Sequence, residues 1–322
     1  LGRGLAGPLI VEEPDPPEVD RELLWVIQDW RLMPDGQLAP GFRNPMEEAM
    51  SGRVGNTVTI NGRLPEDVPV RAGERLRLRL LNAATARIMA LRIEGHRPVV
   101  VALDGQPCEP HEPTSGRIIL GPTMRADVIL DMQGDPGSSY AVIDDFYDRL
   151  SYPLVRFAYD AARPLRARPI AASPRLPRNP VPRPDLASAM RQEIRLKGGM
   201  MAGGMGTHGG GAIWAINGIS MTGDGEAGMK PLVVVPRGRS CVLDLRNETA
   251  WWHPMHLHGH SFQFIERDGV AASHAEWGDT VLLRPRETVR VAFVADNPGD
   301  WMLHCHVMGH QEAGLMTIIR VA

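Results

Sequence analysis

Seven of the eleven histidines fall in two short windows, His253-Pro254-Met255-His256-Leu257-His258-Gly259-His260 and His304-Cys305-His306-Val307-Met308-Gly309-His310. In an extended strand, residues two apart share a face and the residue between them points the other way. His256 and His258 therefore look to one side together, as do His304 and His306, while Cys305 projects opposite to both. One strand can then serve two metal sites back to back. A lone thiolate with two imidazoles is the donor set of a blue-copper electron-transfer centre, and His253 and His310, reached through turns, complete it with Cys305. The other four imidazoles point away and are free to bind further copper, so the covalent link from Cys305 into its flanking histidines gives electrons a path between sites. A structural zinc site, the plain alternative, closes with four ligands and has no use for a cysteine between two histidines.

The elements that position these ligands have to be strands. Short β-branched runs recur between frequent Gly and Pro residues: Thr57 to Ile60, Leu76 to Leu80, Val99 to Leu103, Arg117 to Leu120 and Asp127 to Leu130 in the first half. The second half has Leu232 to Val235, Cys241 to Leu245, Ser261 to Ile265, Thr280 to Leu283, Thr288 to Val294 and Leu315 to Val321. No long segment has a helical period, and many short strands separated by turn signals predict antiparallel sandwiches. The halves also echo one another. Asn61-Gly62, Val70-Arg71-Ala72-Gly73 and Leu80-Leu81-Asn82 parallel Asn217-Gly218, Val235-Pro236-Arg237-Gly238 and Leu245-Arg246-Asn247, which predicts one β-sandwich used twice. Between them, residues 161–190 hold seven prolines and six arginines, a composition suited to an extended, semi-rigid linker.

At 322 residues the chain has room for two domains, each large enough to bury a core. A net charge of −3 without a basic block argues against nucleic acid or an anionic membrane surface as partner and for a small one. No run of about 18 apolar residues is present, so no membrane-spanning helix is expected. Three cysteines are too few for a disulfide framework; Cys108 and Cys241 read as small buried hydrophobes or free thiols. Gly4 to Val11 reads as a turn feeding an apolar strand.

The two histidine motifs resemble those of the multicopper oxidases, the laccase family, in which HPxHxHGH followed by HCHxxxH marks the last cupredoxin domain. The resemblance implies an all-β fold of tandem cupredoxin-like Greek-key sandwiches. Residues 1–15 would be the tail of a missing first cupredoxin domain, 16–160 a metal-free cupredoxin domain, 161–190 the linker and 191–322 the copper-binding domain. It implies four coppers: type 1 held by His253, Cys305 and His310, type 2 by His256, and a type 3 pair by His258, His304 and His306. Family clusters need eight histidines, and this chain offers four. Aligning Gly95-His96 on Gly259-His260 puts Arg92 and Glu94 at the places of His256 and His258, so the first sandwich cannot make up the deficit. An N-terminal cupredoxin domain carrying the other four is the implied partner. The implied activity is one-electron oxidation of a small phenolic, aromatic or low-valent metal substrate near an exposed type 1 histidine, coupled to reduction of dioxygen to water, in a periplasmic or secreted protein. A cuprous oxidase, a copper nitrite reductase and a type 1 electron carrier are the alternatives.

Around these motifs lie lesser candidates. The family's axial position falls on Leu315, which cannot ligate copper and implies a high potential; neighbouring Met316 reads as core packing. Met200, Met201 and Met205 in a Gly-rich loop, with Met221, Met229 and His208 nearby, are soft donors suited to Cu(I) or simply loop residues. Glu312 and Asp296 stand close in sequence to the ligands and are candidates for proton or substrate handling. His260, matched by His96 in the metal-free copy, reads as structural, and His111 and His274 as loop residues.

Overall fold

The computed structural model describes residues 1–322 apart from 167–168, 172–173, 201–212 and 222–229. The chain forms two compact units: Leu1–Ala39 with Gly55–Asn179, and Pro40–Val54 with Pro180–Ala322. The segment Pro40–Val54 is thus a strap, early in sequence but part of the second unit.

Unit 1 contains β1 (Arg21–Trp30), β2 (Thr57–Ile60), β3 (Val68–Val70), β4 (Arg75–Asn82), β5 (Met89–Ile93), β6 (Val99–Leu103), β7 (Gln106–His111), β8 (Arg117–Leu120), β9 (Arg125–Asp131), β10 (Ser139–Asp144) and β11 (Tyr152–Tyr159). One sheet runs β2-β1-β4-β9-β6-β7 and the other β3-β11-β10-β5-β8. Strand β4 shows why they stack. Its alternating Leu76, Leu78 and Leu80 face the core, where they meet Met89, Leu91, Val142 and Phe157 of the second sheet. The intervening Arg77 is buried on the other face and offset by Glu13 and by Asp127 at 2.5 Å, a pairing a buried guanidinium requires.

Unit 2 contains β12 (Met190–Gly198), β13 (Trp214–Ile216), β14 (Val233–Val235), β15 (Ser240–Asn247), β16 (His253–Leu257), β17 (Phe262–Arg267), β18 (Val270–Ala271), β19 (Trp277–Gly278), β20 (Thr280–Leu283), β21 (Thr288–Val294), β22 (Gly299–Cys305) and β23 (Met316–Val321), with two short helices, α1 (Pro45–Glu48) in the strap and α2 (Met308–Glu312). Its sheets run β13-β12-β15-β21-β17-β18, with β19 beside β17, and β14-β23-β22-β16-β20. This is the strand order of unit 1, position for position. The repeated Asn-Gly turns are equivalent in detail: Asn61 and Asn217 both have positive φ, and their side-chain oxygens accept from the N–H groups of Val26 and Arg195 at 2.9 and 2.7 Å.

One expectation changes. Gly4 to Val11 turns at its start but forms no strand, and Leu5, Leu9 and Val11 are exposed; an apolar run needs a paired neighbour to become a strand, because its peptide groups must be satisfied. Within the proline-rich stretch, Leu176 is buried against Val101, Ala102 and Ile129 of unit 1. Among the described residues, no helix is long and apolar enough to cross a membrane.

Candidate metal centre

Strands β16 and β22 are antiparallel, with Met255 opposite Cys305, His256 opposite His304 and Leu257 opposite Leu303. Directly opposed residues share a face. Met255, Leu257, Leu303 and Cys305 therefore fill the sandwich interior, each at most 1% exposed, while His256 and His304 emerge on the other side. His253, two residues before Met255, lies on the interior face, and α2 returns His310 to the same place. The sulfur of Cys305 is 3.5 Å from Nδ1 of His253 and 3.5 Å from Nδ1 of His310, and the two nitrogens are 3.1 Å apart. A triangle with such sides has a centre about 2 Å from each corner, near metal–nitrogen and slightly inside metal–sulfur bond lengths.

The protonation pattern fits a metal as well. His253 Nε2 donates to Thr249 Oγ1 at 2.8 Å, because the Thr249 hydroxyl proton is committed to Asn247 Oδ1 at 2.7 Å. His310 Nε2 donates to the Met50 carbonyl at 2.8 Å. Both rings are thereby held with a lone pair on the Nδ1 that faces the sulfur. Burial holds His253 well below the usual histidine range and His310 at about 4, so both are neutral. Burial also pushes the Cys305 thiol up, so ionisation there needs a cation in place of the proton. Trp214 packs edge-on against His253 and tilted over His310, with ring centroids 5.0 and 4.4 Å away.

On the opposite face, His256, His258, His304 and His306 form a second group with neighbouring ring centroids 5.0 to 5.8 Å apart. His304 Nδ1 donates to the Cys305 carbonyl at 2.9 Å, turning its Nε2 lone pair toward His258 Nε2 at 3.1 Å. His256 Nδ1 faces the Asp279 carbonyl and Thr280 Oγ1, both at 3.0 Å. Nδ1 of His306 is buried without a partner. Burial lowers His304 to about 3 and His306 to about 4. The two imidazoles kept neutral by burial, His304 and His306, and the orphaned nitrogen suit a cation. Among the described residues, however, only His253, Cys305 and His310 converge closely enough to hold an ion by themselves.

The remaining candidates separate clearly. Leu315 is buried and stapled to both ligand segments: Cys305 N–H donates to its carbonyl at 3.0 Å, and its own N–H donates to the His310 carbonyl at 2.9 Å. Met316 lies opposite His304, on the face away from the sulfur. Glu312 pairs with Arg43 at 3.5 Å, and half-exposed Asp296 is 3.9 Å from His260. His260 Nδ1 lies 3.4 Å from the His258 carbonyl, as His96 Nδ1 lies 2.7 Å from that of Glu94. Met200 engages through its backbone, its N–H reaching the Ala49 carbonyl at 2.8 Å; Met201, Met205, His208 and Met229 lie outside the described residues. Cys108 and Cys241 are buried and form no disulfide, as expected. The expectation of an exposed histidine at the thiolate site is corrected: His253 and His310 are both 0% exposed, His310 because the strap covers it. Sequence reasoning missed Thr249, Trp214 and Met50, and a backbone carbonyl from residue 50 leaves no side-chain signal to find.

Multicopper oxidase family profiles match residues 22–152 and 208–322. A multicopper oxidase of Mycobacterium tuberculosis is 28% identical over 98% of this chain and 65% of its own length. The iron transport multicopper oxidase of Schizosaccharomyces pombe is 25% identical over 97% of this chain and 57% of its own. Among solved structures, a multi-copper oxidase from Pseudomonas thermotolerans is 33% identical, with a TM-score of 0.86 over all of this chain and 73% of that one. Two cupredoxin sandwiches with a histidine–cysteine cluster in the second define the class, and the chain belongs to the multicopper oxidase family. It spans about 57 to 65% of the length of these curated relatives.

Proposed function

We propose that this chain is the electron-accepting part of a laccase-like oxidase that oxidises a small reductant one electron at a time and reduces dioxygen to water. The observation that carries the reading is the placement of Cys305, whose sulfur lies in the His253–His310 triad while His304 and His306, bonded to it through the backbone, face the other way. When bound, copper supplies one-electron acceptance at the triad, as the type 1 site, and multi-electron oxygen chemistry at the histidine group. The protein's share is geometric. His253 and His310 present locked Nδ1 lone pairs, the sandwich interior excludes water from the sulfur, and two peptide-linked residues span the distance between the groups.

In this reading His256 serves a type 2 copper, and His258, His304 and His306 serve a type 3 pair. Four imidazoles cannot fill three coppers, and unit 1 offers Arg92 and Glu94 at the matching positions. Four further histidines must come from a cupredoxin domain outside these 322 residues. The test is copper counting and oxygen uptake on the full-length protein compared with this chain alone. Four coppers and four electrons per dioxygen in the full-length protein, with only the triad copper and no oxygen uptake in the isolated chain, are expected. Two coppers in the full-length protein would indicate a nitrite reductase-like enzyme and one an electron carrier; full oxygen reduction by the isolated chain would refute the ligand count.

A further inference from the structure

We propose that the strap Pro40–Val54 is the positioning element of the His253–Cys305–His310 centre: the Met50 carbonyl holds the outward nitrogen of His310 and closes that ring edge to direct contact with a reductant. The inference rests on the copper reading above, but its geometry stands without metal. Helix α1 begins at an Asn44 cap, whose side chain accepts from Met46 N–H at 3.0 Å, and ends after one turn. The last carbonyls of a helix have no partner within it. Here three in succession are taken up by unit 2: Glu48 O accepts from Trp214 Nε1 at 2.7 Å, Ala49 O from Met200 N–H at 2.8 Å, and Met50 O from His310 Nε2 at 2.8 Å. One donor is the buried indole packed on both ligand rings, and another is a ligand ring itself.

Gly309 permits this approach. A Cβ at that position would lie 3.1 Å from Cγ and 3.4 Å from Cα of Glu48, so a larger residue beside His310 would require Glu48 of the strap to give way by a few tenths of an ångström. The two histidines of the triad are thus locked by different means. His253 uses Thr249, four residues upstream on its own strand approach; His310 uses a carbonyl 260 residues away. An N–H donated to a carbonyl strengthens the donor at the other ring nitrogen and fixes its aim. Weakening the Met50 acceptor should therefore weaken the preference of the centre for Cu(II) over Cu(I).

The acceptor can be weakened without touching a side chain contact by incorporating an α-hydroxy acid in place of Ser51, which turns the 50–51 peptide into an ester. In the copper-free full-length protein, exchange of the His310 Nε2 proton with solvent, read by nitrogen-15 NMR, should accelerate about tenfold or more. In the copper-loaded protein, the reduction potential should rise by the equivalent of about tenfold in relative affinity, about 59 mV for one electron, with the intense visible band retained. Gly309→Ala should move both readouts in the same direction and serves if the ester variant fails to fold. Unchanged proton exchange would overturn the cap; accelerated exchange with an unchanged potential would overturn its positioning role. Absence of a visible band from the unmodified protein would instead overturn the copper reading, while the exchange result would still report on the strap.

Discussion

Units 1 and 2 share a strand order, and the same spot in each contains a buried polar group of different kind. In unit 2, Cys305 lies opposite Met255 and His304 opposite His256. In unit 1, Asp144 lies opposite Leu91 and Ile143 opposite Arg92, so Asp144 occupies the place of the thiol. Where unit 2 gathers a thiol and two imidazoles, unit 1 gathers fixed charges. Asp144 accepts from Ala90 N–H at 3.0 Å and from Tyr152 Oη at 3.1 Å, and Arg87 bridges it, at 4.0 Å, to Asp29, at 3.2 Å. On the outer face, the places of His256 and His258 hold Arg92 and Glu94, which pair at 3.2 Å in partly exposed surroundings where ion pairs contribute little. The end of this strand pair is a position at which the fold tolerates buried polarity, provided it is neutralised. A guanidinium does so in unit 1, and in the copper reading proposed above a metal would do so in unit 2.

The sharpest test of this contrast removes the neutralisable group from unit 2. Cys305→Ser replaces the soft donor with a hydroxyl, and the intense visible absorption and oxygen uptake of the copper-loaded protein should both be lost, with the far-ultraviolet circular dichroism of both sandwiches retained. Visible absorption near the unmodified level would show that the sulfur is not a ligand.

A second contrast is one of acid response. In the copper-free protein, His253, His304, His306 and His310 are held neutral by burial, so below pH 6.5 the unfolded chain binds protons that the folded unit 2 does not. Stability falls as pH drops from about 6.5 towards 4 and 3, by about 1.4 kcal/mol per pH unit for each such proton. Asp29 of unit 1 has the opposite sign. Desolvation raises its pKa, so the folded unit binds more protons and this residue costs stability as pH rises from 3.8 through its folded value. Denaturant melts of the copper-free protein between pH 7 and 4 should show unit 2 lost first; equal sensitivity of both units would contradict the burial of the histidines.

Unit 1 can be challenged directly with Arg87→Met. Removing the guanidinium leaves Asp29 and Asp144 buried without their counter-charge, which costs about 3 to 5 kcal/mol. The loss should appear in the unit 1 transition, with copper content unchanged. A change below about 1 kcal/mol, the scale of an exposed pair, would mean that water reaches the cluster.

The placement of the histidines and Cys305 on β16 and β22 was legible because a cysteine between two histidines fixes which way each side chain points once the segment is a strand, and the paired Asn-Gly turns made the duplication visible. The strap was not legible. Its contacts are backbone carbonyls at the end of one helical turn, and neither composition nor periodicity distinguishes Glu48, Ala49 and Met50 from any loop. Gly4 to Val11 failed for the converse reason: its side chains suit a strand, but pairing is a property of neighbours. The Asp144 cluster escaped notice because Asp29, Arg87, Asp144 and Tyr152 are scattered over 124 positions and meet only when the sheets close.

The smallest predicted effect concerns the residue opposite the buried polar group. In unit 1, Tyr152 lies opposite Asp144 and donates its hydroxyl proton to it; in unit 2, Leu315 receives the Cys305 N–H on its carbonyl and has no donor atom in its side chain. Met316 cannot substitute, since its register with His304 sends its side chain to the opposite face. Leu315→Met conserves volume, so its cost in stability should be under about 1.5 kcal/mol. The thioether is a weak donor that favours Cu(II) when it approaches a His2Cys site axially, and the reduction potential of the copper-loaded protein should therefore fall, with the visible band retained and shifted. Redox titration of Leu315→Met beside Met316→Leu separates the two positions. A lower potential in the first and no change in the second are expected. A shift confined to Met316→Leu would place the axial contact one residue later and would require β23 to pair out of the register that puts Met316 beside His304.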